Sequence, residues 1–166
     1  MDADDKTIVL SSTHSTLVSL DAVKHGKAGL DKRRKGLLDR VPNQNDSAEF
    51  PVGSLEMKDL AYITAKTGDE FAILRGKDKD ILWHGTPLEC DVMSKYKDDL
   101  EGHRLELVGH SHPGEPIPIP SPEDRLFLRH IGQKKSKLIS GMTGYEREFT
   151  DDYWALRNCP NINSNL

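Results

Sequence analysis

Val108-Gly-His-Ser-His-Pro113 is followed, after a proline-rich loop, by Pro120-Ser-Pro-Glu-Asp124. Side chains alternate along a β-strand, so His110 and His112 point to the same face and can reach one ion. Imidazole nitrogens and carboxylates bind zinc, and a catalytic zinc usually combines three protein ligands with one water. Asp124 would complete the set if the loop folds back over the strand end. The sequence therefore predicts a metal site of His110, His112 and Asp124.

The second half of this stretch is also a helix start. Ser121 occupies the N-cap position, Pro122 the first helical position, and Glu123 and Asp124 the first turn. A capping box, in which Asp124 reaches back to the backbone of Ser121, would explain these residues without a metal. A pair of histidines two positions apart is also common on ordinary protein surfaces. The residues alone leave the metal site and the structural explanation open.

A hydrolytic metal site also needs a group that takes a proton from water and gives one to the leaving amine. Glu70 begins a predicted strand, where its side chain can project to the edge of a site. Glu106 lies in the same predicted strand as the two histidines, an even number of residues before each, so strand alternation would place it on their face. The residues do not decide among four candidates, which are Glu70, Glu106, Glu115 and Glu123.

Length and composition narrow the class of protein. The 166 residues are enough for one domain with its own core. A net charge of -4 disfavours a nucleic-acid-binding surface. The two cysteines, Cys90 and Cys159, form no Cys-x-x-Cys pair, which fits a reducing compartment and excludes a four-cysteine zinc site. The acidic start and the lack of a long apolar run predict a cytoplasmic protein without a secretory signal or a membrane span.

The remaining sequence predicts a mixed α/β fold. Residues 1–50 are assigned to a poorly defined N-terminal arm with a basic cluster and a linker at 41–47, and residues 51–166 to the domain. His84 and His103, beside glycines at the ends of elements, are predicted to be surface residues. The predicted elements are strands at 7–10, 70–75, 81–83, 104–109, 137–140 and 145–149, and helices at 54–66, 90–100, 122–131 and 150–156.

His-Ser-His-Pro at 110–113, followed by Pro-Ser-x-x-Asp at 120–124, resembles the JAMM signature of the JAB/MPN metalloprotease family. That signature consists of an upstream glutamate, His-x-His, a short loop and Ser-x-x-Asp. Residues 68–76 look like the family's glutamate strand and the turn after it, and the similarity covers residues 55–149. The resemblance implies an MPN-like (cytidine-deaminase-like) mixed β-sheet flanked by helices.

The resemblance also implies a role for each matching residue. His110, His112 and Asp124 would bind Zn²⁺, Glu70 would act as general base and then acid, and Ser121 would donate a hydrogen bond to the oxyanion. Family members cleave peptide or isopeptide bonds, many of them at the tail of ubiquitin or a ubiquitin-like protein. This compact chain is most similar to small prokaryotic, JAB-like proteins, so the expected partner is a peptide or a ubiquitin-like protein, with no nucleic acid and no membrane.

Two other function classes stay open as alternatives. The chain would be a non-catalytic MPN-like protein-binding module if it bound no metal, although no ligand of the signature is missing. It would be a metal hydrolase of another class, such as a nuclease toxin, if it cut nucleic acid. A zinc deaminase is disfavoured because the sequence lacks the His-x-Glu and Pro-Cys-x-x-Cys motifs of that class.

Overall fold

A computed structural model describes residues 8–11 and 32–152 of the chain. None of the helices in these two ranges is long and apolar enough to cross a bilayer. The elements in chain order are β1 (Leu10–Ser11), α1 (Lys32–Leu38), β2 (Asp46–Pro51), α2 (Met57–Thr67), β3 (Phe71–Arg75), β4 (Lys79–His84), β5 (Glu89–Cys90), α3 (Met93–Glu101), β6 (Glu106–His112), α4 (Pro122–Ile131), β7 (Lys135–Ser140) and β8 (Glu146–Thr150).

Six strands form one mixed sheet in the order β2-β4-β3-β6-β7-β8, and β1 pairs with β5 in a separate two-stranded sheet. All neighbours in the large sheet are antiparallel except β6 and β7, which are parallel. Parallel neighbours need a crossover connection, which α4 provides here. Because α4 carries the chain back along the sheet, its N-terminus lies beside the C-terminal end of β6. The mixed α/β class predicted from the sequence is confirmed.

Helices cover both faces of the large sheet. On one face α2 packs against β3, β6 and β7, and on the other α4 contacts α3, β1 and β8. Side chains alternate along β3, so Phe71 and Ile73 join the core under α2 while Ala72 and Leu74 join the core under α4. Each face therefore has its own buried apolar cluster, and the sheet separates the two.

The two longest helices begin and end where their capping residues predict. In α2, the backbone N–H of Glu56 donates to the Asp59 carboxylate over 2.8 Å, and Gly68 ends the helix with φ 79°. In α4, Ser121 and Asp124 form a capping box, and Gly132 ends the helix with φ 73°. A left-handed φ is accessible to glycine without strain, which explains both C-termini. The predicted helix at 54–66 is thus present but starts three residues later.

The sheet extends upstream of the boundary drawn near residue 50. β2 pairs with β4 at the edge of the sheet, so that boundary falls inside a strand. The sequence of β2, Asp-Ser-Ala-Glu-Phe-Pro, has one buried side chain, Phe50, and one partly buried apolar side chain, Ala48, so its alternating apolar pattern is too short to predict a strand. Upstream of β2, Arg33 and Arg34 of α1 contact the buried Asp59 of α2 at 2.6 and 3.1 Å. Part of the predicted arm consequently packs on the domain.

Three further predicted elements have different outcomes. The helix predicted from Cys90 begins at Met93, because Cys90 belongs to β5 and pairs with Leu10 of β1. The predicted strand at 7–10 corresponds in part to β1. The helix predicted at 150–156 lies largely outside the described residues.

Candidate metal centre

A β-bulge at Val108 sets the direction of the two histidines. The pairing of β3 with β6 slips by one residue there, and beyond the slip His110 pairs directly with Ala72, which belongs to the core under α4. A bulge changes the alternation of side chains along its strand. His110 and His112 therefore point to the α4 face. Glu106 lies before the bulge and is exposed, so its even spacing from the histidines does not bring it to their site.

His110, His112 and Asp124 converge on one point. The Nε2 atoms of His110 and His112 lie 3.1 and 3.2 Å from Oδ2 of Asp124. All three side chains are fully buried. Asp124 reaches this point because it occupies the first turn of α4, beside the end of β6. The loop therefore folds back as the sequence interpretation required.

These atoms are spaced as in a metal site, but they are not oriented for hydrogen bonds. Both ring nitrogens of His110 and Nε2 of His112 are buried without a hydrogen-bond partner of acceptable geometry among the described residues. Ligand atoms at the corners of a tetrahedron with zinc-like bonds lie about 3.3 Å apart. The observed 3.1 and 3.2 Å separations are close to that edge. These three atoms therefore have the spacing expected of ligands to one metal ion.

Glu70 stands at the edge of this cluster. It directly precedes β3, and its backbone is fixed by hydrogen bonds from its N–H to the Thr86 carbonyl and from the Gly85 N–H to its own carbonyl, at 2.9 and 2.8 Å. The side chain is fully buried, and one of its oxygens lies within 4.8 Å of a ligand nitrogen on each histidine. Glu70 and the two histidines together form a group that could hold a metal ion.

The buried charges of the centre shift the pKa of each group. Burial alone lowers the pKa of His112, but the carboxylates of Asp124 and Glu115 outweigh it and raise that pKa to about 10. For His110 burial prevails and lowers the pKa. Burial alone would raise the pKa of Asp124, but the two histidines outweigh it and hold that pKa well below its usual range. The low pKa of Asp124 and the raised pKa of His112 thus have the same physical origin, the close approach of the buried carboxylate and the imidazoles.

Glu115 orients His112 from the side opposite the metal point. Its Oε1 lies 2.9 Å from Nδ1 of His112, and it also accepts a hydrogen bond from the Ile119 N–H over 2.8 Å. Metal-binding histidines commonly donate their second ring N–H to a carboxylate, which fixes the tautomer. Among the four candidate bases, Glu115 therefore has this orienting position, and Glu123 is only partly buried. Glu115 was a candidate from its residue type, but its contact with His112 was not predicted.

Ser111 links the histidine strand to the segment that carries Glu70, a role the sequence analysis missed. Its hydroxyl lies 2.6 Å from Oγ1 of Thr64 in α2 and accepts the Phe71 N–H over 2.9 Å. Its side chain points to the α2 face, opposite to both histidines. A small polar residue between two ligands is the only signal of this role in the sequence. The hydrogen bond from the Phe71 N–H fixes Phe71, the residue after Glu70, against β6.

Ser121 adjoins Asp124 through the capping box. Its Oγ accepts the Asp124 N–H and its own N–H donates to Asp124 Oδ2, both over 3.0 Å. A hydroxyl that accepts one hydrogen bond keeps a proton to donate. The structure therefore brings all five predicted site residues to one place, the α4 face of the sheet at the end of β6.

Cys90 lies close to the centre. It is fully buried, and burial, followed by the charges of Glu70 and Asp124, raises the pKa of its thiol well above the usual value.

Comparison of the chain with models of known protein families, with curated proteins and with solved structures found no match to any of them.

Proposed function

We propose that this chain is a zinc-dependent peptidase or isopeptidase of the JAMM type with an MPN-like fold. One observation supports this proposal most strongly. Two buried imidazole nitrogens and a carboxylate oxygen converge at 3.1–3.2 Å without hydrogen-bond geometry, and a buried glutamate lies within 4.8 Å of the imidazoles. Isolated buried polar atoms without partners are costly, so their convergence favours a bound cation.

The residues divide into metal holders and proton carriers. His110, His112 and Asp124 would hold zinc through Nε2, Nε2 and Oδ2, with one position open. When bound there, zinc would polarise the scissile carbonyl and lower the pKa of a water to about 7.

The carboxylate of Glu70 would take a proton from the attacking water and deliver it to the leaving amine nitrogen. One carboxylate can perform both transfers, because one of its oxygens lies within 4.8 Å of both histidines and its own backbone is fixed. The Ser121 hydroxyl would donate its remaining proton to the oxyanion of the tetrahedral intermediate. These two groups supply the acid–base and oxyanion parts of amide hydrolysis.

The expected substrate is a peptide or isopeptide bond, including one at the tail of a ubiquitin-like protein. The resemblance of residues 55–149 to JAMM proteins favours this class, and the negative net charge of the chain disfavours nucleic acid. The loop between His112 and Ser121 is held by Glu115 and by the Thr143 hydroxyl, which donates to the Pro116 carbonyl over 2.6 Å. We expect this loop to form a fixed wall of the substrate site.

The test begins with the metal content of the purified full-length chain. We expect one zinc per chain and hydrolysis of a panel of peptides and of isopeptide conjugates of ubiquitin-like proteins, lost in chelator and restored by zinc. Glu70→Gln should lower kcat by about 10²–10⁴-fold while zinc stays bound, because the base is lost and the ligands are not. Glu106→Gln is the matched control, since this glutamate is exposed and outside the site.

Each alternative function has its own outcome in the same experiment. A chain that binds no zinc at neutral pH would be a non-catalytic module. Zinc-dependent cleavage of DNA or RNA without cleavage of peptides would identify a hydrolase of another class. Full activity of Glu70→Gln would show that the base is a different group.

A further inference from the structure

The short strand β1 lies directly on the metal centre. The backbone N–H of Ser11 donates to Asp124 Oδ1 over 2.8 Å, and the Ser11 hydroxyl lies 3.3 Å from the Ser121 hydroxyl. Ser11 thus touches one predicted zinc ligand and the predicted oxyanion donor at the same time. Both contacts join residues more than a hundred positions apart in the chain.

Ser11 Oγ occupies the place that a substrate oxygen would take. The Ser121 hydroxyl already accepts the Asp124 N–H, so its single proton is the group left for a carbonyl oxygen. With β1 in place, the oxygen found next to that hydroxyl is Ser11 Oγ. An extended segment with an oxygen at this position has the shape and polarity of a bound peptide.

The centre is closed in this structure. Glu70, His110, His112, Ser121 and Asp124 all have no exposed surface, yet a hydrolase must admit a carbonyl group to them. In the part of the chain that the structure describes, β1 is outside the six-stranded sheet and pairs with the two residues of β5 alone. It also contacts α4 and is held by the burial of Leu10 and by Ser11. Among the described elements that contact the centre, it therefore has the fewest backbone partners to lose on moving.

We propose that β1 is a self-inhibitory strand that occupies the substrate path, and that the metal centre opens when β1 leaves β5. The proposal rests on the proposed peptidase function for its biological meaning, but the closing of the centre is testable without it. In the closed state the segment 8–11 competes with an extended substrate for the same place. Activity is then limited by the fraction of molecules in which β1 has left.

A disulfide between residue 10 and Cys90 tests this directly. Leu10 and Cys90 are opposite partners in the β1–β5 pair and both are buried, and such partners have Cα separations that a disulfide spans. The full-length variant Leu10→Cys with Cys159→Ser carries only the two cysteines of interest, and Cys159→Ser alone is the matched control. Diamide forms the disulfide, a phosphine reductant breaks it, and mass spectrometry verifies each state.

Two rates are measured in each state: removal of zinc by a chelator and hydrolysis of the peptide panel. We expect both rates to fall at least about tenfold on oxidation and to recover on reduction, with no change in the control. Equal zinc-removal rates in the oxidised and reduced states would overturn the proposal. A redox-dependent zinc-removal rate without any peptidase activity would retain the strand's role and reject the proposed function.

Ser11→Pro is a second test that needs no new cysteine. Proline lacks the N–H that donates to Asp124, so β1 should detach more often, while Ser11→Ala keeps that N–H and serves as its control. Faster zinc removal and a higher kcat/KM in Ser11→Pro are expected. A lower kcat/KM in Ser11→Pro would instead make β1 a required part of the active site, which contradicts the proposal.

Discussion

Two buried clusters of histidine and carboxylate lie side by side in this protein and differ in their hydrogen bonds. In the first, His84 contacts Asp69 Oδ2 through Nε2 at 2.7 Å and the Pro42 carbonyl through Nδ1 at 2.6 Å, and its ring stacks on Phe71. Gln44 also donates to Asp69 over 3.1 Å. Every polar atom of the His84 ring therefore has a partner.

In the second cluster, His110, His112 and Asp124 are packed as closely but are not satisfied in this way. Three imidazole nitrogens have no well-formed hydrogen bond among the described residues, and two of them face one carboxylate oxygen. Both clusters thus combine buried histidine with a buried carboxylate. They are distinguished by the imidazole nitrogens, which are paired in the first cluster and converge without well-formed hydrogen bonds in the second.

We expect the greatest change in the free energy of unfolding from zinc, which should bind to the second cluster and not to the first. At free zinc about 1,000-fold above Kd, the free energy of unfolding should rise by about 4 kcal/mol. Asp69→Asn should keep this increase and Asp124→Asn should lose it, since only Asp124 is proposed as a ligand. Thermal denaturation with and without zinc measures it. An equal increase in both variants would show that zinc binds elsewhere.

Removal of the carboxylate behind His112 should weaken the metal centre without emptying it. Glu115→Ala is expected to lower zinc affinity by about 10–100-fold, because His112 loses the partner that fixes its tautomer. Competition with a chromophoric chelator gives the affinity. Glu123→Ala, a partly exposed neighbour of Asp124, is the control and should leave the affinity unchanged. An unchanged affinity in Glu115→Ala would mean that the ring is held by packing.

The first cluster should contribute to stability and not to metal binding. Asp69→Ala removes the acceptor of both His84 and Gln44, and a buried donor left without a partner costs about 1–3 kcal/mol. Urea unfolding should show this loss, while zinc affinity should stay at the wild-type value. A fall in zinc affinity would show that the two clusters are coupled through Glu70, which follows Asp69 directly.

We expect the least change in stability from a variant of Ser121, which adjoins Asp124 and also caps α4. Ser121→Ala should cost about 1 kcal/mol of stability, because the first turn of α4 loses its side-chain cap. Ser121→Thr keeps a capping hydroxyl and should retain most of that stability. Urea unfolding of the zinc-free proteins compares the two. If the alanine variant is as stable as the wild type, the cap contributes nothing and Ser121 serves chemistry alone.

The parts of the site that depend on neighbouring residues were predictable from the sequence. The cap at Ser121, the turn that carries Asp124 and the histidine pair all follow from local rules of helix capping and strand alternation. The helix ends at Gly68 and Gly132 follow from the same kind of rule.

The parts that depend on distant pairing were not predictable. The bulge at Val108 exists only because β3 and β6 pair, and it separates Glu106 from the histidines. The approach of Glu70 to the two histidines depends on that same pairing. His84, which its neighbouring glycine placed on the surface, is buried because Asp69 and Pro42 reach it from other segments. The residues next to His84 in the sequence do not indicate these distant partners.

The parallel crossover from β6 through α4 to β7 also has a consequence for the order of folding. It supplies all three predicted ligands from one continuous piece of chain, with His110 and Asp124 fourteen positions apart. Glu70 joins them only when β3 pairs with β6 across about forty positions. The entropic cost of closing a loop rises with its length, here by about 1 kcal/mol between the two. We expect a partly folded chain to bind zinc before Glu70 joins the site. The metal would then be bound before it could take part in hydrolysis.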